Sequence, residues 1–201
     1  MVKNEHQQAP RGRSDRIRQW LHVAALSLCV LAGAAPAQDA ALHVSERSVK
    51  AAFLYKFASY VQWPDADAKA DAPITIGVIG GTDFARELAD ITANRTISSR
   101  PINVRRLTAG TSFDGLEILF IAKEERDHLS QLLSAAREKP ILTVTESDGA
   151  LSSGSIINFT LDQDRVRFEV SLYAAEKSQL RLNARLLAVA QDVHRGPEPG
   201  R

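Results

Sequence analysis

The chain has one cysteine in 201 residues, Cys29, and one methionine. A lone cysteine excludes an internal disulfide, a Cys-x-x-Cys redox pair and a cysteine-rich zinc site. Aromatic residues are scarce, at 6%. They are concentrated: Phe53, Tyr55, Phe57, Tyr60 and Trp63 fall within eleven residues. No apolar run reaches the roughly 20 residues a membrane-spanning helix needs. No basic cluster of the kind that neutralises a phosphate backbone is present, so nucleic acid is not an expected partner. Arg105-Arg106 and the pair Arg181 and Arg185 are too sparse for that role.

Catalytic patterns are missing as well. His43, His128 and His194 are scattered, and no His-x-x-x-His or mixed His/Asp/Glu cluster marks a metal site. Ser152-Ser153-Gly154-Ser155 lacks the Gly-x-Ser-x-Gly elbow that exposes a nucleophile. Nothing in the sequence nominates a base within reach of a nucleophile. The expectation is a protein that is not an enzyme and needs no cofactor, with a hydrolase as the least favoured alternative.

What is present begins with an export signal. Arg11, Arg13, Arg16 and Arg18 precede an apolar stretch from Trp20 to Ala35, and Ala35-Pro36-Ala37 offers small residues for cleavage. Residues 1–37 read as a signal peptide, residues 38–195 as one domain, and residues 196–201 (Gly-Pro-Glu-Pro-Gly-Arg) as a frayed, disordered tail. Export would deliver the chain to the periplasm, and removal of the signal would remove Cys29. Residues 1–37 hold five of the 25 basic residues and two of the 24 acidic ones, so residues 38–201 carry 20 and 22, a net of −2.

Periodicity supplies the fold class. Ser45 is placed to cap a helix starting at Glu46 or Arg47 and ended by Gln62 before Trp63-Pro64, with Val49, Ala52, Phe53, Phe57, Tyr60 and Val61 as its apolar stripe. Short β-branched runs predict strands at Ile74–Ile79, Ile102–Leu107, Glu117–Ala122 and Ile141–Thr145. Helices are predicted at 83–93, capped by Thr82, and at 124–138. Alternation of strand and helix argues βαβ units and a mainly parallel sheet with helices on both faces. Gly154–Leu161 and Arg165–Leu172, separated by Asp162-Gln163-Asp164, predict a hairpin. A last helix is predicted over 182–193. The expected fold is a single three-layer α/β domain, with a mainly parallel sheet flanked by helices and a C-terminal antiparallel hairpin.

Two sets of candidate binding residues follow. Gly80, Gly81 and Thr82 form a tight turn between a strand and a helix, where backbone N–H groups favour anions. Asp83 in the first helical turn opposes phosphate, and the dinucleotide fingerprint is incomplete. Tyr55 and Trp63 fit the apolar stripe less well than their neighbours, as interface anchors would. Glu169 lies between Phe168 and Val170 on the opposite strand face, with Arg165 and Arg167 on its own side. That face is either a solvated, Arg-paired one or a charged, partner-binding strip carried by Glu169 and Arg167.

Two segments carry a family resemblance. One is Val49-Lys50-Ala51-Ala52-Phe53-Leu54-Tyr55-Lys56-Phe57, continuing to Val61-Gln62-Trp63-Pro64. The other runs from Gly154 through Asn158-Phe159 and Val166–Val170 to Leu180-Arg181-Leu182-Asn183-Ala184-Arg185-Leu186-Leu187. Both resemble the YfiR-like family of bacterial periplasmic proteins. The resemblance implies a compact α/β domain without catalytic residues, a tendency to form homodimers, and a partner in the inner membrane. That partner would be a diguanylate cyclase, whose release raises cyclic di-GMP and promotes biofilm, or a sensor kinase. Two departures stand out: Ser171 replaces the usual Asn, and the frequent cysteines are missing from residues 38–201, so a redox switch is not expected. The alternative function is a small-molecule sensor, with its ligand at the carboxyl ends of the strands near Gly80-Gly81, Ala122-Lys123 and Thr145-Glu146.

Overall fold

A computed structural model describes residues 37–64, 70–108, 110–137 and 139–196. The predicted export signal as far as Pro36, residues 65–69 of the Ala-rich loop and the predicted tail from 197 lie outside the described residues. The chain divides into two units, Met1–Leu42 and His43–Arg201, and the sheet belongs to the second.

Helix α1 spans Ala37–Phe57, so Ser45 is an internal residue and not the expected cap. It ends five residues before the predicted Gln62. Tyr60 N–H bonds Phe57 O at 2.9 Å, and Val61–Gln62 becomes a strand, β1. The buried stripe is also rotated from the expected one. Lys50, Ala51, Leu54, Phe57 and Ala58 are buried, whereas Val49 and Ala52 are exposed.

Strand β2 (Ile74–Ile79) is buried at all six positions, as a central strand covered on both faces must be. After α2 (Thr82–Thr92) and the two-residue β3 (Thr96–Ile97), β4 (Arg100–Leu107) pairs parallel to β2. The chain then crosses to the other side of β2 to form β5 (Ile118–Ile121), also parallel. The predicted helix 124–138 is a 3-10 segment (Lys123–His128) followed by α3 (Leu129–Ala136). Strand β6 (Leu142–Thr145) pairs parallel to β5, and β7 (Ile157–Asp162) parallel to β6. Strand β8 (Arg165–Ser171) closes the predicted antiparallel hairpin with β7.

The C-terminal region departs from expectation. Instead of one helix over 182–193 there are α4 (Leu172–Lys177), β9 (Arg181–Leu182), α5 (Ala184–Leu187) and β10 (Asp192–His194). Strand β9 pairs with β1, and Asn183 N–H bonds Tyr60 O at 2.9 Å. The Asn183 side chain caps α5 by accepting from Arg185 N–H at 2.9 Å. Strand β10 adds parallel to β8. The apolar spacing of Leu182, Leu186, Leu187 and Ala190 imitates a long helix, but tertiary strand pairing wins at both ends. The eight-stranded sheet has the order β10-β8-β7-β6-β5-β2-β4-β3. The expected class, a mainly parallel sheet flanked by helices with a C-terminal hairpin, is what forms.

Each sheet face has its own core. On the first, α1 and α2 pack through rings: Phe57 lies 4.9 Å from Phe168 and 5.7 Å from Phe159, and Phe84 stacks on Phe120 at 4.2 Å. On the second, Leu129, Leu132 and Leu133 of α3 cover Leu119, Ile121 and Ile141. Gly77 permits this second core to close over β2. A Cβ there would come within 2.6 Å of Leu107 Cδ1 and 2.7 Å of Leu116 Cδ1. Gly77 is thus a packing glycine. At the amino ends of the strands, Arg100 donates to Glu117 Oε1 at 2.9 Å, to Ala72 O and to Pro73 O, while Glu117 Oε2 accepts from Thr75 N–H at 2.9 Å. This buried pair locks β2, β4 and β5 together.

Phe57→Ala should cost about 3–5 kcal/mol of unfolding free energy, the usual price of removing a buried ring, measured by urea denaturation. The hairpin turn makes a prediction of opposite sign. Gln163 and Asp164 both have positive φ, 48° and 60°, as a two-residue type I′ turn demands. Replacing them with Asn-Gly should stabilise by about 0.5–1 kcal/mol, since relief of left-handed strain exceeds the entropy glycine adds to the unfolded chain. An unchanged or lower denaturation midpoint would contradict this.

Candidate functional site

The chain leaves β2 toward α2 on the first sheet face and leaves β5 toward α3 on the second. Neighbouring parallel strands whose connections diverge in this way open a crevice at their carboxyl ends. A cavity of about 440 Å³ occupies it. Gly81, Thr82, Asp83 and Phe84 come from the β2–α2 turn, Lys123 and Glu124 from the end of β5, Glu146 from the end of β6, and Glu46, Arg47 and Lys50 from α1. The strand ends near Gly81, Lys123 and Glu146 that the sequence indicated are therefore brought together.

The turn itself differs in detail. Gly80 and Gly81 have φ of 71° and 53°, so two successive left-handed residues reverse the chain. A Cβ on Gly80 would lie 3.0 Å from Ala122 Cβ, which adds a packing demand. Gly81 occupies the cap position of α2, without a side-chain cap hydrogen bond. Thr82 is the first helical residue and not the expected cap, and its Oγ1 accepts from Arg106 Nη2 at 3.4 Å.

Lys50 organises the cavity. Its ammonium donates to Glu146 Oε2 at 2.6 Å and to Glu46 Oε1 at 2.5 Å. Glu146 Oε1 accepts from Lys123 N–H at 3.0 Å. One carboxylate thus ties α1 to the ends of β5 and β6. Burial by itself would lower the Lys50 pKa, but the charges and hydrogen bonds of Glu146 and Glu46 outweigh it and hold it above the ordinary lysine value. Sequence reasoning missed this centre. The signal was Lys50 itself, which precedes Leu54 and Phe57 by four and seven residues and so stands on the buried face of α1.

The cavity wall carries Arg47, Lys50 and Lys123 against Glu46, Asp83, Glu124 and Glu146. Its charges nearly cancel, and Asp83 at the α2 amino end opposes phosphate. The crevice suits a small polar molecule better than an anion. Among the described residues, no group of three or more His, Cys, Asp or Glu is placed to hold a metal ion.

The other candidate residues are dispersed. Arg165 and Arg167 are exposed and Glu169 is half-buried on the outward face of β8. None of the three has an ion-pair partner among the described residues, so the strip is not internally neutralised. Glu169 sits between Asn158 of β7 and Asp192 of β10. Tyr55 belongs to α1, on the opposite sheet face. It is half-buried, with Arg95 Cζ 5.4 Å from its ring centroid. Trp63 is a correction: at 9% exposure it is a core residue and no surface anchor. Its position before Pro64 faces the aromatic core, which its poor fit to the α1 stripe concealed.

Lys50→Met should destabilise the chain by about 2–3 kcal/mol, less than the roughly 3–5 kcal/mol of a fully enclosed pair because the cavity is open to water. The sign of the pH dependence follows from the raised pKa. The stabilisation is complete below the unfolded-state lysine value and is lost as pH climbs through the higher folded-state value. The gap in stability between the two proteins should therefore be constant at neutral pH and shrink only in strongly alkaline solution. A gap that closes on acidification from pH 8 to 6 would overturn this assignment.

The YfiR/HmsC-like family profile matches residues 47–191, well over half of the chain. Two solved structures show partial likeness. A conserved domain protein from Vibrio cholerae O1 biovar El Tor is 13% identical with a TM-score of 0.45, covering 59% of this chain and 54% of that one. The ABC domain in complex with L-Trp from Streptococcus pneumoniae is 8% identical with a TM-score of 0.45, covering 60% and 55%. The chain thus spans about half the length of each. With its family profile extending from α1 through α5, the chain belongs to the YfiR/HmsC-like family of periplasmic regulators of diguanylate cyclase signalling.

Proposed function

We propose that the chain is a periplasmic regulatory binding protein that holds the periplasmic sensor region of an inner-membrane signalling protein, a diguanylate cyclase or a sensor kinase. Residues 1–37 act as the export signal and residues 38–195 as the working domain, which acts as a homodimer. The observation that carries this reading is the outward strip of β8. Arg165, Arg167 and Glu169 lie one beside the next at alternate positions, uncompensated among the described residues. Charges left without internal partners gain from complementary charges on another protein, which sets specificity and steers encounter. Tyr55, on the other face, supplies a second contact to the partner or to the second copy. Recognition of this kind needs no chemistry at the site.

A cavity at the switch point supports a second reading, a sensor for a small polar molecule at Gly81 and Thr82, with Gly80 shaping the turn that presents them. Ligand in that crevice would bear on the Lys50–Glu146 contact and so on the seating of α1.

The discriminating experiment is a pull-down of the tagged chain from solubilised inner membrane, with Glu169→Lys run in parallel. The normal chain should recover a sensor cyclase or kinase, and the variant, of unchanged melting temperature, should lose at least nine-tenths of it (about 1.4 kcal/mol, a factor of ten). Equal recovery by both would remove the strip from the interface. Recovery of no membrane protein would refute the reading itself.

A further inference from the structure

A second cavity, about 390 Å³, lies near the amino end of β6, where α3 ends and α4 begins. Its electrostatics differ from those of the switch-point crevice. Arg137 and Lys177 line it, and none of its lining residues is Asp or Glu. Neither cation has an ion-pair partner among the described residues. Both stand at helix carboxyl ends, Arg137 at the cap of α3 and Lys177 in the last turn of α4, where the helix dipole favours positive charge. Gly154, at φ 105°, lies beside the guanidinium: a Cβ there would be in ordinary contact with Arg137 Nη2, at 3.7 Å.

The buried wall adds hydrogen-bond donors. Ser178 is 7% exposed, and its hydroxyl has no hydrogen-bond partner among the described residues. Thr143 Oγ1 accepts from Ile156 N–H at 3.0 Å and Ser171 Oγ from Ala174 N–H at 3.2 Å, so each keeps its own hydroxyl hydrogen to donate. Beside these polar groups, Leu133, Leu151 and Ala174 give an apolar floor. Tyr173, with its ring under Lys177 Nζ at 5.5 Å, gives an aromatic edge that is 39% exposed. Cations and hydroxyl donors without a carboxylate select negative charge, and an apolar floor selects a ligand with a body to bury.

We propose that this cavity binds a small organic anion with an apolar body, a carboxylate or a phosphate monoester, its charge held by Arg137 and Lys177 and its body laid on Leu133, Leu151 and Tyr173. Zwitterions are poor ligands, because an ammonium group finds no carboxylate to meet. The site touches β8 only through Ser171, two positions beyond Glu169, and stands whether or not a membrane partner is found.

Titration of the full chain with phenylacetate and with phenylphosphate, followed by calorimetry and ligand-observed NMR, tests the proposal. One saturable site per chain is expected, with phenylalanine and phenethylamine binding at least about tenfold more weakly. Arg137→Ala and Lys177→Ala, both exposed positions, should each keep the normal melting temperature and weaken binding about tenfold, as loss of a charge-assisted hydrogen bond does. Tighter phenylphosphate than phenylacetate assigns a phosphate monoester, and the reverse order assigns a carboxylate. Absence of saturable binding by both probes, or binding unchanged in the double variant, would overturn the proposal.

Discussion

The seat of α1 on the first sheet face is the constraint from which the rest of the molecule follows. Phe57 meets Phe159 and Phe168 on adjacent antiparallel strands, so one helix holds the hairpin to the parallel part of the sheet. One and two turns earlier on the same face, Leu54 is fully buried and Lys50 reaches Glu146. The turn after the helix delivers Val61–Gln62 to pair with Arg181–Leu182, which fixes the C-terminal segment. Apolar packing supplies the affinity of this helix for the sheet. The ammonium–carboxylate contact adds register, since a buried ion pair tolerates little displacement.

Polarity is distributed unequally between the two ends of the sheet. The strands' carboxyl ends carry many charges that satisfy one another, with Lys50 shared between two carboxylates. The amino end of β6 carries fewer, but they are of one sign and uncommitted. A wall that neutralises itself is preorganised and holds its own shape, whereas a wall with spare donors is completed by what it binds. The outward face of β8 is likewise uncommitted, with Arg167 exposed and Glu169 half-buried.

Local sequence wrote the central fold clearly. The run Ile74–Ile79 announced a strand covered on both sides, and the alternation in Phe168, Glu169 and Val170 announced a strand with one wet face. The turn Gln163-Asp164 was legible because two β-rich runs flanked it at hairpin spacing. What stayed hidden depends on distant partners. Arg181–Leu182 is a strand only because Val61–Gln62 lies beside it, and Asp192–His194 only because β8 does. Spacing places Lys50 on the buried face of α1, but its partner Glu146 is 96 positions away and no local pattern names it. Gly77 inside a strand is explained only by Leu107 and Leu116, which the fold lays over it.

Both margins of the sheet are only partly covered. On one side β3 pairs only with Arg100 and Pro101 of the eight-residue β4, and on the other β10 pairs only with Glu169, Val170 and Ser171 of the seven-residue β8, so Ile102–Leu107 and Arg165–Arg167 keep an open main-chain edge among the described residues. Main-chain zippering is indifferent to side chains and would let any extended segment join. Along these open stretches Arg105, Arg106, Arg165 and Arg167 place charge beside the bare main chain, which opposes such promiscuous extension and leaves selection to particular side chains. Fidelity is then adjustable by one substitution at a time, with the scaffold beneath unchanged.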